Sequence, residues 1–164
     1  MSIAITYGST SGNTKKVAKK IAEALGKEVA ILDVAESDAT VLNSYDTLIL
    51  GTSTWYGGEL QDDWDSFDFE PLNLSGKKVA LFGLGDTEAY GDEFCDAMGI
   101  LYDICIKKGA NIIGDNWPID GYGFEYSNAV RDGFFVGLAI DEENQEGQTK
   151  ARIEKWVKSI SALV

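Results

Sequence analysis

The sequence predicts an α/β protein: a doubly wound, five-stranded parallel sheet with helices on both faces, its fifth strand interrupted by an insertion. Three observations predict it. Short apolar runs rich in Val, Ile and Leu recur along the chain, the pattern of strands buried on both faces. Between them lie stretches whose apolar residues repeat at helical spacing. No Pro/Gly/Ser-rich linker or repeat period divides the 164 residues, which suffice for one domain over 1–164 with a substantial core.

The first run, Ile3 to Thr6, is too short for a helix and too continuous for a half-exposed strand. A polar turn follows, and then Val17, Ala18, Ile21, Ala22 and Leu25 form the apolar stripe of a helix. Val29 to Leu32, Thr47 to Leu50 and Val79 to Phe82 repeat the strand pattern and read as buried parallel strands. Phe94, Met98, Leu101, Tyr102 and Cys105 make a second helical stripe. Asn111 to Gly114 begins a fifth strand, which Phe134 to Ile140 resumes. Between them Asp115 to Arg131 is rich in Gly and aromatics, so it reads as an ordered excursion inserted into one strand. Ile153, Trp156, Val157 and Ile160 give the last helix its core face. Strand alternating with helix implies right-handed crossovers and helices on both faces.

Composition excludes several functions. The net charge is −13, and no Lys or Arg occurs from 28 to 76 or from 79 to 106. Nucleic acid is excluded as a partner because neutralising phosphates needs a basic face. Proteins with basic docking patches fit instead, although acidic surface also serves plain solubility. No apolar run approaches the roughly 20 residues of a membrane span, and no basic-then-apolar leader opens the chain, so a cytoplasmic protein is expected. Cys95 and Cys105 are the two cysteines and there is no histidine, so neither a zinc site nor a Cys–His nucleophile has its parts. Both read as small, reduced core residues.

In open α/β sheets, ligands bind outside the carboxyl ends of the strands near the point where the winding reverses. After the first strand comes Tyr7-Gly8-Ser9-Thr10-Ser11-Gly12-Asn13-Thr14. Unsatisfied N–H groups at a helix start, with the hydroxyls of Ser9, Thr10, Ser11 and Thr14, can surround a phosphate without lysine. Neither the triphosphatase loop nor the dinucleotide fingerprint is present. A Ser/Thr-capped turn would read the same way in isolation. After the third strand comes Gly51 to Glu59, and after the fourth Gly83 to Asp92; each offers an aromatic flanked by glycines. Glycines let backbone approach a ligand, and a planar aromatic at a strand end can stack on a flat ring. A phosphate turn and two aromatic loops on one sheet edge suit a mononucleotide flavin.

These residues also resemble a family, the flavodoxins, and within it the long-chain group whose fifth strand is split by an insertion. The likeness spans essentially the whole chain. It rests on Gly8-Ser9-Thr10-Ser11-Gly12-Asn13-Thr14, Thr54-Trp55 with Gly58-Glu59-Leu60-Gln61 and Trp64, Phe82-Gly83 with Gly85-Asp86 and Tyr90, Asp120-Gly121-Tyr122 with Phe124, and Gly137-Leu138 with Ile140-Asp141-Glu142 and Asn144-Gln145. The resemblance implies strand order 2-1-3-4-5, a monomer, and FMN as cofactor. It implies a site made of residues 9 to 14, Thr52, Ser53, Thr54, Trp55, Tyr56, Gly57, Gly58, Leu84, Gly85, Asp86, Tyr90, Glu93 and Cys95. Trp55 would lie on the inner face of the flavin ring and Tyr90 on the outer one, with Gly85 and Asp86 beside the ring and ribityl chain.

The resemblance further implies an electron carrier and not an enzyme, moving one electron at low potential between semiquinone and hydroquinone for redox proteins with basic docking patches. In relatives a peptide in the loop after the third strand flips to accept a hydrogen bond from reduced flavin; here it is Tyr56-Gly57, and glycine tolerates the flip. Many long-chain relatives carry a larger residue there. Carboxylates such as Glu59, Asp62, Asp86, Glu88 and Asp92 would disfavour the anionic reduced ring. Two other classes share this sheet: an FMN-dependent NAD(P)H:quinone reductase-like enzyme, which needs a second substrate pocket, and a phosphoacceptor domain. The latter needs acids after the first strand and an Asp ending the third, where this chain has Gly8-Ser9 and Gly51-Thr52.

Overall fold

The computed structural model describes residues 2–164. The strands, in chain order, are β1 (Ile3–Gly8), β2 (Ala30–Asp33), β3 (Thr47–Trp55), β4 (Glu59–Leu60), β5 (Lys78–Leu84), β6 (Asn111–Ile112), β7 (Trp117–Pro118), β8 (Val130–Arg131), β9 (Phe134–Phe135) and β10 (Leu138–Ile140). The helices are α1 (Asn13–Leu25), α2 (Ala39–Asn43), α3 (Asp62–Asp65), α4 (Asp96–Lys107) and α5 (Glu146–Ile160). The main sheet runs β2-β1-β3-β5-β10, all parallel. Winding proceeds from β1 outward to β2, then returns past β1 to β3 and onward to β5 and β10. The reversal between β1 and β3 opens a crevice at their carboxyl ends.

Local chemistry explains the elements that frame this crevice. Every residue of β1 is buried, as its unbroken apolar run requires. Gly12 stops the chain before α1 in a left-handed conformation, φ +95°, that L side chains rarely adopt. α1 then turns Val17, Ala18, Ile21 and Leu25 inward and lies against α5. α4 packs on β3 and β5. Trp64 and Trp156 are among the largest fully buried side chains. Each satisfies its indole N–H on a carbonyl, Trp64 on Gly51 at 2.7 Å and Trp156 on Gly114 at 3.0 Å.

The split fifth strand is present, with one correction. β6 pairs with the start of β5 (Val79 with Ile112), whereas β10 pairs with its end (Phe82 with Leu138). Phe134 and Phe135 do not belong to the resumed strand: β9 joins β7 and β8 in a separate three-stranded antiparallel sheet. Gly137 lies between the two, where a side chain would collide with the Leu81 carbonyl. The excursion is ordered by aromatics. Phe94, Tyr122, Phe124 and Phe135 meet with ring centroids 5.2 to 5.8 Å apart. Trp117 Nε1 donates to the Tyr122 hydroxyl at 2.7 Å, which donates to the Ala139 carbonyl of β10 at 2.6 Å.

Three further expectations need adjustment. β2 is an edge strand and not a fully buried one; Ile31 is 39% exposed. The segment after Leu50, expected to be loop, continues as strand to Trp55 and turns back as β4, pairing Trp55 with Glu59 and Thr54 with Leu60. Phe94 precedes α4 and packs against the insertion instead of lying on the helix stripe. Both cysteines are free and buried. Among the described residues no helix is long and apolar enough to cross a membrane.

Candidate functional site: a cleft at the strand ends

A cleft of about 200 Å³ lies at the carboxyl ends of the central strands. Ser11, Asn13 and Thr14 line it after β1, Ser53 and Thr54 from β3, Leu84, Gly85, Asp86, Tyr90 and Glu93 from the end of β5 onward, and Glu142 and Glu143 after β10. Two larger hollows exist, about 680 Å³ between α1 and α5 and about 370 Å³ beside α2 and α3. Neither gathers strand-end loops, so the smaller cleft is the candidate.

Its two ends differ in chemistry. At the first, among the described residues no side chain caps α1 and no acid sits in its first turn, so the leading N–H groups remain available. Ser9 Oγ accepts from Gly12 N–H at 3.1 Å, tightening the turn. Gln61, buried beneath, donates from Nε2 to Thr10 Oγ1 at 3.1 Å. These groups suit a phosphate. The other end carries Tyr90 and the carboxylates of Asp86, Glu93, Glu142 and Glu143, and none of the cleft's lining residues among those described is basic.

A buried carboxylate organises the acidic wall. Asp141 is fully buried and accepts from Thr87 N–H at 3.2 Å, Thr87 Oγ1 at 2.6 Å, Asn144 N–H at 3.1 Å and Asn144 Nδ2 at 3.0 Å. Asn144 Nδ2 also reaches Asp86 Oδ1 at 2.8 Å, and so ties the loop after β5 to the end of β10. Burial pushes the Asp86 carboxyl up, but hydrogen bonds from Ala89 N–H, Asn144 and Glu88 N–H together hold it below its ordinary value. Asp96 behaves oppositely. Burial raises it and Glu93 and Asp92 add to the rise, against the hydrogen bond from Asn128 N–H.

The turn after β3 is closed by Gly58 N–H on the Trp55 carbonyl at 2.9 Å. Gly57 sits at φ +83° with open space where a Cβ would stand, and its N–H donates to Glu93 Oε1 at 3.1 Å. Trp55 is 37% exposed and does not line the cleft, whereas Tyr90, 44% exposed, does. Tyr56, 83% exposed, meets Tyr90 edge-on at 6.4 Å. Of the other expected site residues, Ser9, Thr10 and Gly12 form the turn beside the lining. Thr52 is buried and spends its hydroxyl on the Ser53 carbonyl at 2.8 Å. Gly58 closes the hairpin, with Asp96 packed where its Cβ would be. Cys95 is fully buried at φ +55° ahead of α4, its thiol pushed well up by burial.

Residue-by-residue reading gave no role to Glu142, Glu143, Asp141 or Gln61. The signal was present for three of them. They follow the last parallel strand, whose carboxyl end opens on the same edge as β1, β3 and β5. For Gln61 no sequence signal distinguishes a buried amide from an exposed one.

Comparison with known proteins follows the same outline. The flavodoxin family model matches residues 5–156. Flavodoxin 1 of Salmonella typhimurium is 51% identical over 162 residues, covering 96% of this chain and 92% of that one. A flavodoxin of Synechococcus elongatus is 47% identical over 164 residues, covering 98% and 96%. Among solved structures, a Fusobacterium nucleatum flavodoxin bound to flavin mononucleotide superposes with a TM-score of 0.92 at 32% identity, covering 99% of this chain and 98% of that one. On the family match and these full-length relatives, the chain belongs to the flavodoxin family.

Proposed function

We propose that this protein is a single-domain, monomeric electron carrier that holds FMN in the strand-end cleft and has no substrate of its own. The observation that carries the proposal is the polarity of the cleft. One end offers unsatisfied helix N–H groups and hydroxyls with no acid among the lining residues or in the first turn of α1, and the other offers Tyr90 among four carboxylates. The FMN phosphate belongs at residues 9 to 14 and the ring beside Tyr90 and the Tyr56-Gly57 turn, with Trp55 able to cover the ring's inner face from the end of β3. Bound FMN supplies one-electron redox chemistry. The protein's residues supply orientation and charge: Gly57 lets the turn present either face of its peptide, and Asp86, Glu93, Glu142 and Glu143 oppose added negative charge. Low-potential transfer, mainly between semiquinone and hydroquinone, follows from that opposition. The same acids, within a net charge of −13, steer redox proteins with basic docking patches toward the exposed edge.

The test is an anaerobic reductive titration of the purified protein followed by absorbance. A yellow protein that passes through a distinct one-electron species before bleaching supports the reading. A protein that takes up no FMN, or that alone consumes NADH or NADPH with a quinone, overturns it. Transfer rates to a basic partner should fall as salt rises.

A further inference from the structure

We propose that Gln61 is a positioning residue for the phosphate end of the cleft: it engages the Thr10 hydroxyl as an acceptor and so leaves that hydroxyl's proton to a bound phosphate. This rests on the FMN reading above. Gln61 lies just before α3 and is 1% exposed, and its carboxamide is fully committed. Oε1 accepts from the Asp63 backbone N–H at 3.0 Å. A backbone N–H can only donate, so this bond fixes which end of the amide faces which way. Nε2 therefore points at Thr10 Oγ1, 3.1 Å away, and at Asp63 Oδ2, 2.9 Å away. An amide nitrogen has two protons and accepts nothing, so the Thr10 oxygen must be the acceptor.

A hydroxyl has one proton, and Gln61 does not use it. Among the described residues neither Thr10 nor Ser9 donates to a protein acceptor, and Ser9 Oγ likewise accepts, from Gly12 N–H. The turn thus holds two hydroxyls that each accept one hydrogen bond from the protein and whose protons remain free. That is the polarity an anion needs. A hydroxyl whose proton a protein acceptor had taken would instead face the phosphate with its lone pairs. The same amide nitrogen also engages the Asp63 carboxylate. Asp63 Oδ2 and Thr10 Oγ1 share one Gln61 nitrogen, so the amide stands between them.

Riboflavin, which is FMN without its phosphate, separates this role from general support of the fold. The apoprotein is titrated with FMN and with riboflavin by quenching of flavin fluorescence, for the parent chain, Gln61→Met, Thr10→Ala and the double variant. The parent should bind FMN more tightly than riboflavin. Gln61→Met should weaken FMN about five- to tenfold, the scale of one ordinary hydrogen bond because the Thr10 hydroxyl itself remains, and leave riboflavin within about twofold. In the Thr10→Ala background the Gln61→Met loss should shrink to less than about twofold, and Thr10→Ser should keep the parent's ratio. Equal losses for both ligands, or a Gln61 effect that persists without the Thr10 hydroxyl, would overturn the proposal while leaving the FMN site standing. A parent that does not discriminate FMN from riboflavin would overturn the phosphate site and this assignment with it.

Discussion

Replacing Asp141 offers a measurable handle on how the cleft is built. Its carboxylate takes hydrogen bonds from both donors of Thr87 and both of Asn144, in a position without solvent contact. Asp141→Ala strands both Thr87 donors and the Asn144 N–H, while Asn144 Nδ2 keeps only Asp86. Each bond to a charged acceptor is worth about 1.5–3 kcal/mol, and because the four form one network the loss should total about 3–4 kcal/mol rather than their sum. With a urea dependence of about 2 kcal/mol per molar, the unfolding midpoint of the apoprotein should drop by about 1.5–2 M. Asp141→Asn is the sharper probe. It keeps the shape, yet either orientation sets an NH2 group against an N–H donor of Thr87 or Asn144, so about 2 kcal/mol should still be lost. A Thr87→Val cycle with Asp141→Ala should show coupling above about 1 kcal/mol. An Asn variant within about 0.5 kcal/mol of the parent, or a cycle that adds, would refute the reading of Asp141 as the anchor between the β5 loop and β10.

Glu142→Gln with Glu143→Gln should raise the flavin's lower reduction potential. A unit charge about 10 Å away contributes roughly 0.4 kcal/mol in water and about 1.7 at an effective dielectric of 20, or about 20–70 mV per charge for one electron; no rise at low salt would count against an electrostatic wall. Gly57→Ala should lower apoprotein stability by about 1 kcal/mol from its φ of +83° alone, since nothing stands where the methyl would go. In the holoprotein it should also shift the first reduction potential, and an unchanged couple would exclude a role for peptide rotation. Asp96→Asn should raise the urea midpoint at pH 7. A carboxyl raised in the fold lends stability below its unfolded pKa of about 3.9 and loses it as pH climbs through the folded value, so the variant's gain should vanish in acid. Burial pushes the Cys105 thiol up to about 12 and Cys95 well above its ordinary value, so thiol reagents should label neither in the folded protein and both in urea.

Much of this architecture is legible in the sequence, for a physical reason. A strand sandwiched between helices must be apolar on both faces, so β1, β3 and β5 announce themselves as unbroken runs, and the helices between them as stripes. What pairing decides was less legible. Val29 to Leu32 looks like a central strand, but β2 has a neighbour on one side only. Phe134 and Phe135 look like the start of β10, but antiparallel partners in the insertion claim them. The phosphate turn was readable because its chemistry is contiguous in sequence. The acidic wall was not, since Glu142 and Glu143 meet Asp86 and Glu93 only after some fifty residues have looped back to β5.

The bond from Tyr122 to the Ala139 carbonyl has a consequence for how the molecule behaves among its own copies. β10 ends the sheet, and an unguarded edge strand offers its backbone to any other chain that can pair with it. Here a side chain from the insertion takes up a carbonyl of that edge, and the aromatic cluster around Tyr122 and Phe135 lies beside it. The insertion occupies one backbone acceptor of the three-residue β10, and the strands of its own sheet are shorter still, two residues each. The excursion also ties down the loop behind Tyr90, through Glu125 and Tyr126 N–H on the Gly91 carbonyl, so one insertion braces a wall of the cleft and shields the β10 edge against edge-to-edge pairing.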